Sequence, residues 1–137
     1  MLVGWLRRRA RGACDTAAME RGNLFAGAEP PEAGELFSEI ARARNVVFER
    51  IVSSSRPESE VYVQDQDELV LLLSGEAELD VGGKSVRLGP GDWLLLTAGA
   101  AHRVVRTSEG ALWLAVHVHP ERRGAREGRD GDEASSR

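Results

Sequence analysis

The sequence predicts an all-β protein, an antiparallel barrel or jelly roll, with one short helix on its N-terminal side. From residue 46 onward, apolar and polar residues alternate with a period of two in short runs, and Gly-rich turns separate these runs. No helical periodicity occurs between the runs, which argues against alternating strands and helices. A chain of 137 residues with 42% hydrophobic content can bury one core. We therefore expect a single domain over residues 23–119.

The short helix is predicted after a pair of prolines, before the first strand. Proline favours the first helical position, and acidic residues in the first turn with basic residues in the last turn complement the helix dipole. Four apolar residues then share one helical face. The residues that carry the pattern are Pro30, Pro31, Glu32, Glu35, Arg42 and Arg44, with Leu36, Phe37, Ile40 and Ala41 on the apolar face.

About eight strands follow, and turn residues mark their ends. The predicted strands cover residues 46–52, 61–64, 68–73, 76–81, 85–88, 93–96, 102–106 and 111–119. Gly82 and Gly83 supply the positive φ angles that a tight hairpin needs, and a Gly-Pro-Gly-Asp turn begins at Gly89. Short strands at this spacing are typical of a barrel or sandwich of antiparallel strands.

The two ends of the chain differ from this domain. Residues 1–22 show no hydrophobic periodicity, so we expect either a disordered extension or a mistaken start upstream of a true start at Met19. Residues 120–137 are rich in Arg, Gly, Glu, Asp and Ser and are expected to form a disordered tail.

Charge and cysteine content exclude some classes of function. The formal net charge is -4, and residues 23–119 carry 8 basic and 15 acidic side chains, so nucleic acid is not expected as a partner. No apolar run is long enough to cross a membrane. Cys14 is the only cysteine, which excludes an intrachain disulfide and favours a cytoplasmic location.

Two spaced sets of residues resemble the motifs of the cupin family. Glu68 and Gly75 match the end of the first cupin motif, and Gly91, Gly99 and His102 match the second. The sequence is therefore similar to a small single-domain cupin of the RmlC-like superfamily. The resemblance implies a double-stranded β-helix, the jelly-roll barrel of that family.

The resemblance also implies a site in the barrel. In metal-binding cupins, two histidines, a glutamate and a later histidine hold Fe, Mn, Ni or Zn. Here the glutamate and the later histidine are Glu68 and His102, whereas Tyr62 and Gln64 stand in place of the His-x-His pair, and Arg106 stands where the family has asparagine. The carboxylate and the imidazole suit a divalent ion, with Gln64 as a third ligand.

Other side chains are candidates for binding a small-molecule substrate. Tyr62 can donate a hydrogen bond, Arg106 can hold an anionic group, and His117 can approach His102 if its face of the last strand points inward. Each residue also has a structural interpretation: Glu68 as a buried ion pair with Arg106 or His102, and His117 as a hydrogen-bonded side chain.

Three functions therefore remain open from the sequence. The first is a metal-assisted enzyme that acts on a small polar molecule in the barrel. The second is a non-catalytic module that binds or senses a small ligand without metal, and the third is a structural dimer whose polar interior only fixes the fold. Strands that are apolar on both faces, such as residues 69–73 and 93–96, also predict a homodimer through the outer sheet.

Overall fold

A computed structural model of the chain describes residues 19–121. Eight strands make up its regular structure: β1 (Glu35–Ala43), β2 (Val46–Ser53), β3 (Asp67–Ser74), β4 (Ala77–Val81), β5 (Lys84–Leu88), β6 (Trp93–Leu96), β7 (His102–Thr107) and β8 (Ala111–Val118). Most of the predicted N-terminal extension and C-terminal tail lies outside the described residues. Within residues 19–121, no helix is long and apolar enough to span a membrane.

The strands form two antiparallel sheets. One has five strands in the order β1-β2-β8-β3-β6, and the other has three in the order β5-β4-β7. Side chains from both sheets meet in one core, where Ile51, Val70 and Trp113 from the larger sheet pack with Leu79 and Leu88 from the smaller one. This arrangement confirms the predicted all-β jelly roll.

The predicted helix is wrong, because its residues form strand β1. This strand pairs with β2 from Glu35↔Ser53 to Ala43↔Val46. The register shifts between Glu39 and Ala41, so Ile40 is the extra residue of a β-bulge. The apolar residues that indicated one helical face do not share a face of the strand, because the adjacent residues Leu36 and Phe37 lie on opposite sides of β1.

A second difference concerns the predicted strand at residues 61–64. It is not a regular strand and is joined to the sheets by a single bridge between Tyr62 and His102. The two residues exchange backbone hydrogen bonds of 2.8 and 3.0 Å. The bridge holds this segment against the start of β7, beside the barrel interior.

Strand alternation brings polar side chains from distant parts of the chain to one end of the interior. Glu68 on β3 lies opposite His117 on β8, and both are buried. On β2, Glu49 has the same parity as the buried residues Val47 and Ile51. The fold therefore places these polar groups directly above the apolar core.

Candidate functional site

A cavity of about 90 Å³ lies between the two sheets. Half of the residues that line it are apolar, and the other half carry carboxylates, imidazoles, an amide or a phenol. The apolar residues are Phe37, Ile51, Val70, Leu79, Leu96, Val104 and Trp113, and the polar residues are Glu35, Glu49, Tyr62, Gln64, Glu68, His102 and His117. Trp113 is fixed in the wall because its indole Nε1 donates a buried hydrogen bond of 3.0 Å to the hydroxyl of Ser53.

Glu68 is the central polar side chain, with one imidazole on each side. Its Oε2 lies 3.8 Å from Nε2 of His102, and its Oε1 lies 3.9 Å from Nε2 of His117. Both separations exceed the length of a hydrogen bond. Only 5% of the Glu68 surface is exposed, and Oε2 has no hydrogen-bond partner among the described residues. A buried carboxylate oxygen without a partner is energetically unfavourable.

Each imidazole is oriented by its other contacts. Nδ1 of His102 lies 3.1 Å from the carbonyl oxygen of Ala100, and since a carbonyl only accepts, this nitrogen carries the proton. In the neutral ring, Nε2 of His102 is then an acceptor that faces Glu68. His117 contacts Oε1 of Glu49 at 3.2 Å through Nε2 and the amide of Gln66 at 3.4 Å through Nδ1.

The proton affinities of these groups are shifted upward. Burial, reinforced by the charges of Glu68 and Glu49, raises the pKa of Glu35 to about 7. Burial also raises the pKa of Glu68, although His117, His102 and a hydrogen bond from Gln64 oppose that shift. The pKa of His117 is raised chiefly by its hydrogen bond to Glu49. These shifts favour proton binding, which reduces the negative charge that Glu35 and Glu68 would otherwise carry in the cavity.

The structure brings five of the six predicted site residues together. Glu68, His102, Gln64, Tyr62 and His117 all line the cavity, and the rings of Tyr62 and His102 stack with centroids 5.9 Å apart.

Arg106 is the exception among the predicted residues. Its guanidinium group is exposed and pairs with Glu78, on the outer side of the smaller sheet. The register between β4 and β7 shifts at this point, so Val105 is an extra residue and Arg106 takes the face opposite to that of Val104. Neither the ion pair with Glu68 nor the role in holding an anion in the cavity fits this position.

Glu35 and Glu49 are site residues that the sequence argument did not identify. The sequence pattern places Glu35 in the first turn of the predicted helix, whereas it lies on the edge strand β1. The sequence does contain a signal for Glu49. It lies two residues from both Val47 and Ile51, and residues two apart on a strand face the same side, here the interior.

Comparison with known proteins decides the family. A family described as "Cupin domain" matches residues 53–118. A Ralstonia eutropha protein, named as a candidate mannose-6-phosphate isomerase, has 34% identity and a TM-score of 0.68, and the match covers 74% of this chain and 100% of that one. The chain belongs to the cupin family. A comparison of this cupin with curated proteins finds no match.

More distant structures share the cupin fold. A Thermus thermophilus protein has 24% identity and a TM-score of 0.66, with 74% of this chain and 100% of that chain covered. An RmlC-like cupin from Shewanella frigidimarina has 15% identity and a TM-score of 0.59, with 67% and 82% covered. These likenesses support the architecture.

The cupin family implies a metal, which requires suitable donor atoms in the cavity and an arrangement that brings them together. Carboxylate, imidazole and amide donors suit a divalent ion. Within residues 19–121, however, no group of three or more His, Cys, Asp or Glu side chains is arranged to hold one. Two of the family's ligand positions are Tyr62 and Gln64. The arrangement therefore does not fit a preassembled metal centre.

Proposed function

We propose that this cupin binds a small polar molecule in the barrel cavity, with Glu68 and His102 as its main polar contacts. The observation that carries the proposal is Glu68, which lines the cavity and whose buried Oε2 has no hydrogen-bond partner among residues 19–121. A ligand that donates a hydrogen bond to this oxygen removes the penalty of leaving it unpaired.

The geometry around this oxygen supports a ligand-binding role over a purely structural one. A carboxylate that only stabilises the fold is normally paired with a cation or with several donors. Glu68 instead lies beyond hydrogen-bond distance from both imidazoles, and the hydrogen bond from Gln64 leaves its Oε2 without a partner among residues 19–121. The backbone bridge between Tyr62 and His102 brings their rings together, and the stacked rings form an aromatic wall on one side of the cavity.

A thermal-shift screen of small polyols, amines and carboxylates tests the proposal. A ligand at tenfold excess over its dissociation constant should raise the melting temperature by about 5 °C, because it binds only the folded state. The shift should disappear in Glu68→Gln and persist in Glu78→Gln, since Glu78 pairs with Arg106 on the outer face. A ligand that shifts Glu68→Gln as strongly as the parent protein contradicts the assignment.

A divalent metal, Fe, Mn, Ni or Zn, is a second candidate occupant, and the same unpartnered oxygen favours it. Glu68, His102 and Gln64 are the side chains that would hold it. Elemental analysis of protein purified without chelators checks this. Metal that is retained by the parent protein and lost in both Glu68→Gln and His102→Ala supports it, and less than about a tenth of an equivalent, unchanged by reconstitution, refutes it.

A further inference from the structure

The cavity is lined by more acidic than basic side chains. Glu35, Glu49 and Glu68 contribute three carboxylates, and neither lysine nor arginine is among the described lining residues. Only the imidazoles of His102 and His117 can balance this charge within that lining, and His117 already contacts Glu49. When these carboxyl groups are ionised, the interior attracts a positive group and repels a negative one.

Two acceptor atoms face each other across the site. Oε2 of Glu68 is an acceptor without a partner in the described part of the chain, and Nε2 of His102 is an acceptor whenever the ring is neutral, because Nδ1 donates to Ala100. The two atoms are 3.8 Å apart, and the residues that bear them are 5% and 8% exposed. A group that carries several N–H donors and a positive charge can satisfy both atoms at once.

The apolar half of the lining limits what else the ligand contains. Ile51, Leu79 and Trp113 offer nothing to a bare or hydrated ion, whereas they can bury the carbon atoms of an organic molecule. A cavity of about 90 Å³ accommodates a short chain. The absence of a preassembled metal group within residues 19–121 also favours an organic cation over an inorganic one.

We propose that the ligand is a primary amine in its ammonium form on a short aliphatic body, with its N–H groups donating to Glu68 and His102. The inference rests on the proposed function, because it specifies the ligand of the same cavity. An ammonium ligand differs in charge from the sugar phosphate that the name of the Ralstonia protein implies. The phosphate of a sugar phosphate would face three carboxylates here, and Arg106 lies outside the cavity.

Three probes of similar size and different charge test the inference: propylammonium, n-propanol and propionate. Binding is followed by NMR titration of the indole N–H of Trp113, with calorimetry as a second readout. Propylammonium should bind the parent protein about tenfold tighter than n-propanol, and propionate should bind more weakly than n-propanol. In Glu68→Gln the preference for ammonium over alcohol should fall to about twofold or less. Glu78→Gln, changed on the outer face, should keep it.

The outcomes separate this inference from the proposed function. Equal affinity for n-propanol and propylammonium, or tightest binding of propionate, overturns the inference and leaves a ligand-binding cavity. Failure of all three probes overturns the inference, and the proposed function then depends on the wider screen alone. Stoichiometric metal that is retained by the parent protein and lost in Glu68→Gln assigns the cavity to an inorganic ion and also overturns it.

Discussion

The carboxyl group of Glu35 makes stability depend on pH in a defined direction. Its ordinary pKa of 4.5 rises to about 7 in the folded protein, chiefly through burial and then through the charges of Glu68 and Glu49. Between these two pH values the folded state keeps a proton that the unfolded chain has released. The free energy of unfolding therefore decreases as the pH rises from 4.5 to about 7, and this contribution is constant above that range.

Replacement of Glu35 by glutamine removes this dependence. Glu35→Gln should resemble the parent protein near pH 4.5 and be more stable by up to about 3 kcal/mol above about pH 7. Urea unfolding at several pH values measures the difference. Glu78→Gln is the matched control: hydrogen bonds from Ser85 and Arg106 lower the pKa of Glu78 from 4.5, so this variant should be less stable than the parent protein by an amount that is constant between pH 4.5 and 7. A difference between parent and Glu35→Gln that does not change with pH contradicts the prediction.

Individual site residues could be predicted from the sequence where a family motif or the alternation of a strand identifies them. Glu68 and His102 follow from the family spacing, and His117 follows from alternation along the last strand. Arg106 was misplaced because one extra residue at Val105 reverses the faces of β7. No residue pattern in a single sequence fixes where such a bulge falls, since the bulge depends on the partner strand.

Two motif glycines occupy turns at strand ends, and both have a backbone conformation that favours glycine. Gly75 and Gly91 both have positive φ, at 86° and 89°. A Cβ atom on Gly75 would lie 2.6 Å from the hydroxyl oxygen of Ser108 and 2.9 Å from the Cα of Ala111, whereas at Gly91 none of the described atoms lies within 4 Å. Gly75 is thus required for both its backbone conformation and its close packing, and Gly91 for its conformation alone.

Alanine substitutions should separate these two effects. Gly91→Ala should lower the free energy of unfolding by about 1 to 2 kcal/mol, the cost of a left-handed backbone. Gly75→Ala should lower it by about 2 kcal/mol more, because backbone atoms of Ala111 must also shift. Urea denaturation at one pH, with both variants measured beside the parent protein, gives the comparison. Equal losses in the two variants would show that the contact at Gly75 relaxes without strain.

Strand β1 shows why one whole element was mispredicted. Leu36, Phe37, Ile40 and Ala41 have helical spacing, yet three of them are 44% to 51% exposed on the strand, so the spacing does not mark a buried face. Prolines and the distribution of charge supported the helix independently. What decides between the two is the hydrogen bonding that β2 offers along its free edge, which is a tertiary contact and overrides local preference.

For the whole molecule, the all-β fold was predictable because alternation and turn residues recur along the chain. The same alternation leaves an apolar outer face on the five-stranded sheet. Cross-strand pairs place Phe48 beside Val116, Val116 beside Leu69, and Leu69 beside Leu95 in one row. A second row of cross-strand pairs runs beside the first on the same face and ends at Trp93, which is 64% exposed. An apolar surface of this kind marks an interaction site.

We expect this face to form the predicted homodimer, because a second copy offers an equally apolar surface and a two-fold axis makes the two faces self-complementary. The turn that Arg50 holds through the carbonyls of Leu24 and Ala26 covers only part of the sheet. Trp93→Glu should therefore give a monomer in sedimentation velocity at micromolar concentration, because it buries a charge in the interface. Val105→Glu, on the smaller sheet, should remain dimeric. A monomeric mass for the parent protein, or a dimer that survives Trp93→Glu and dissociates in Val105→Glu, refutes this interface.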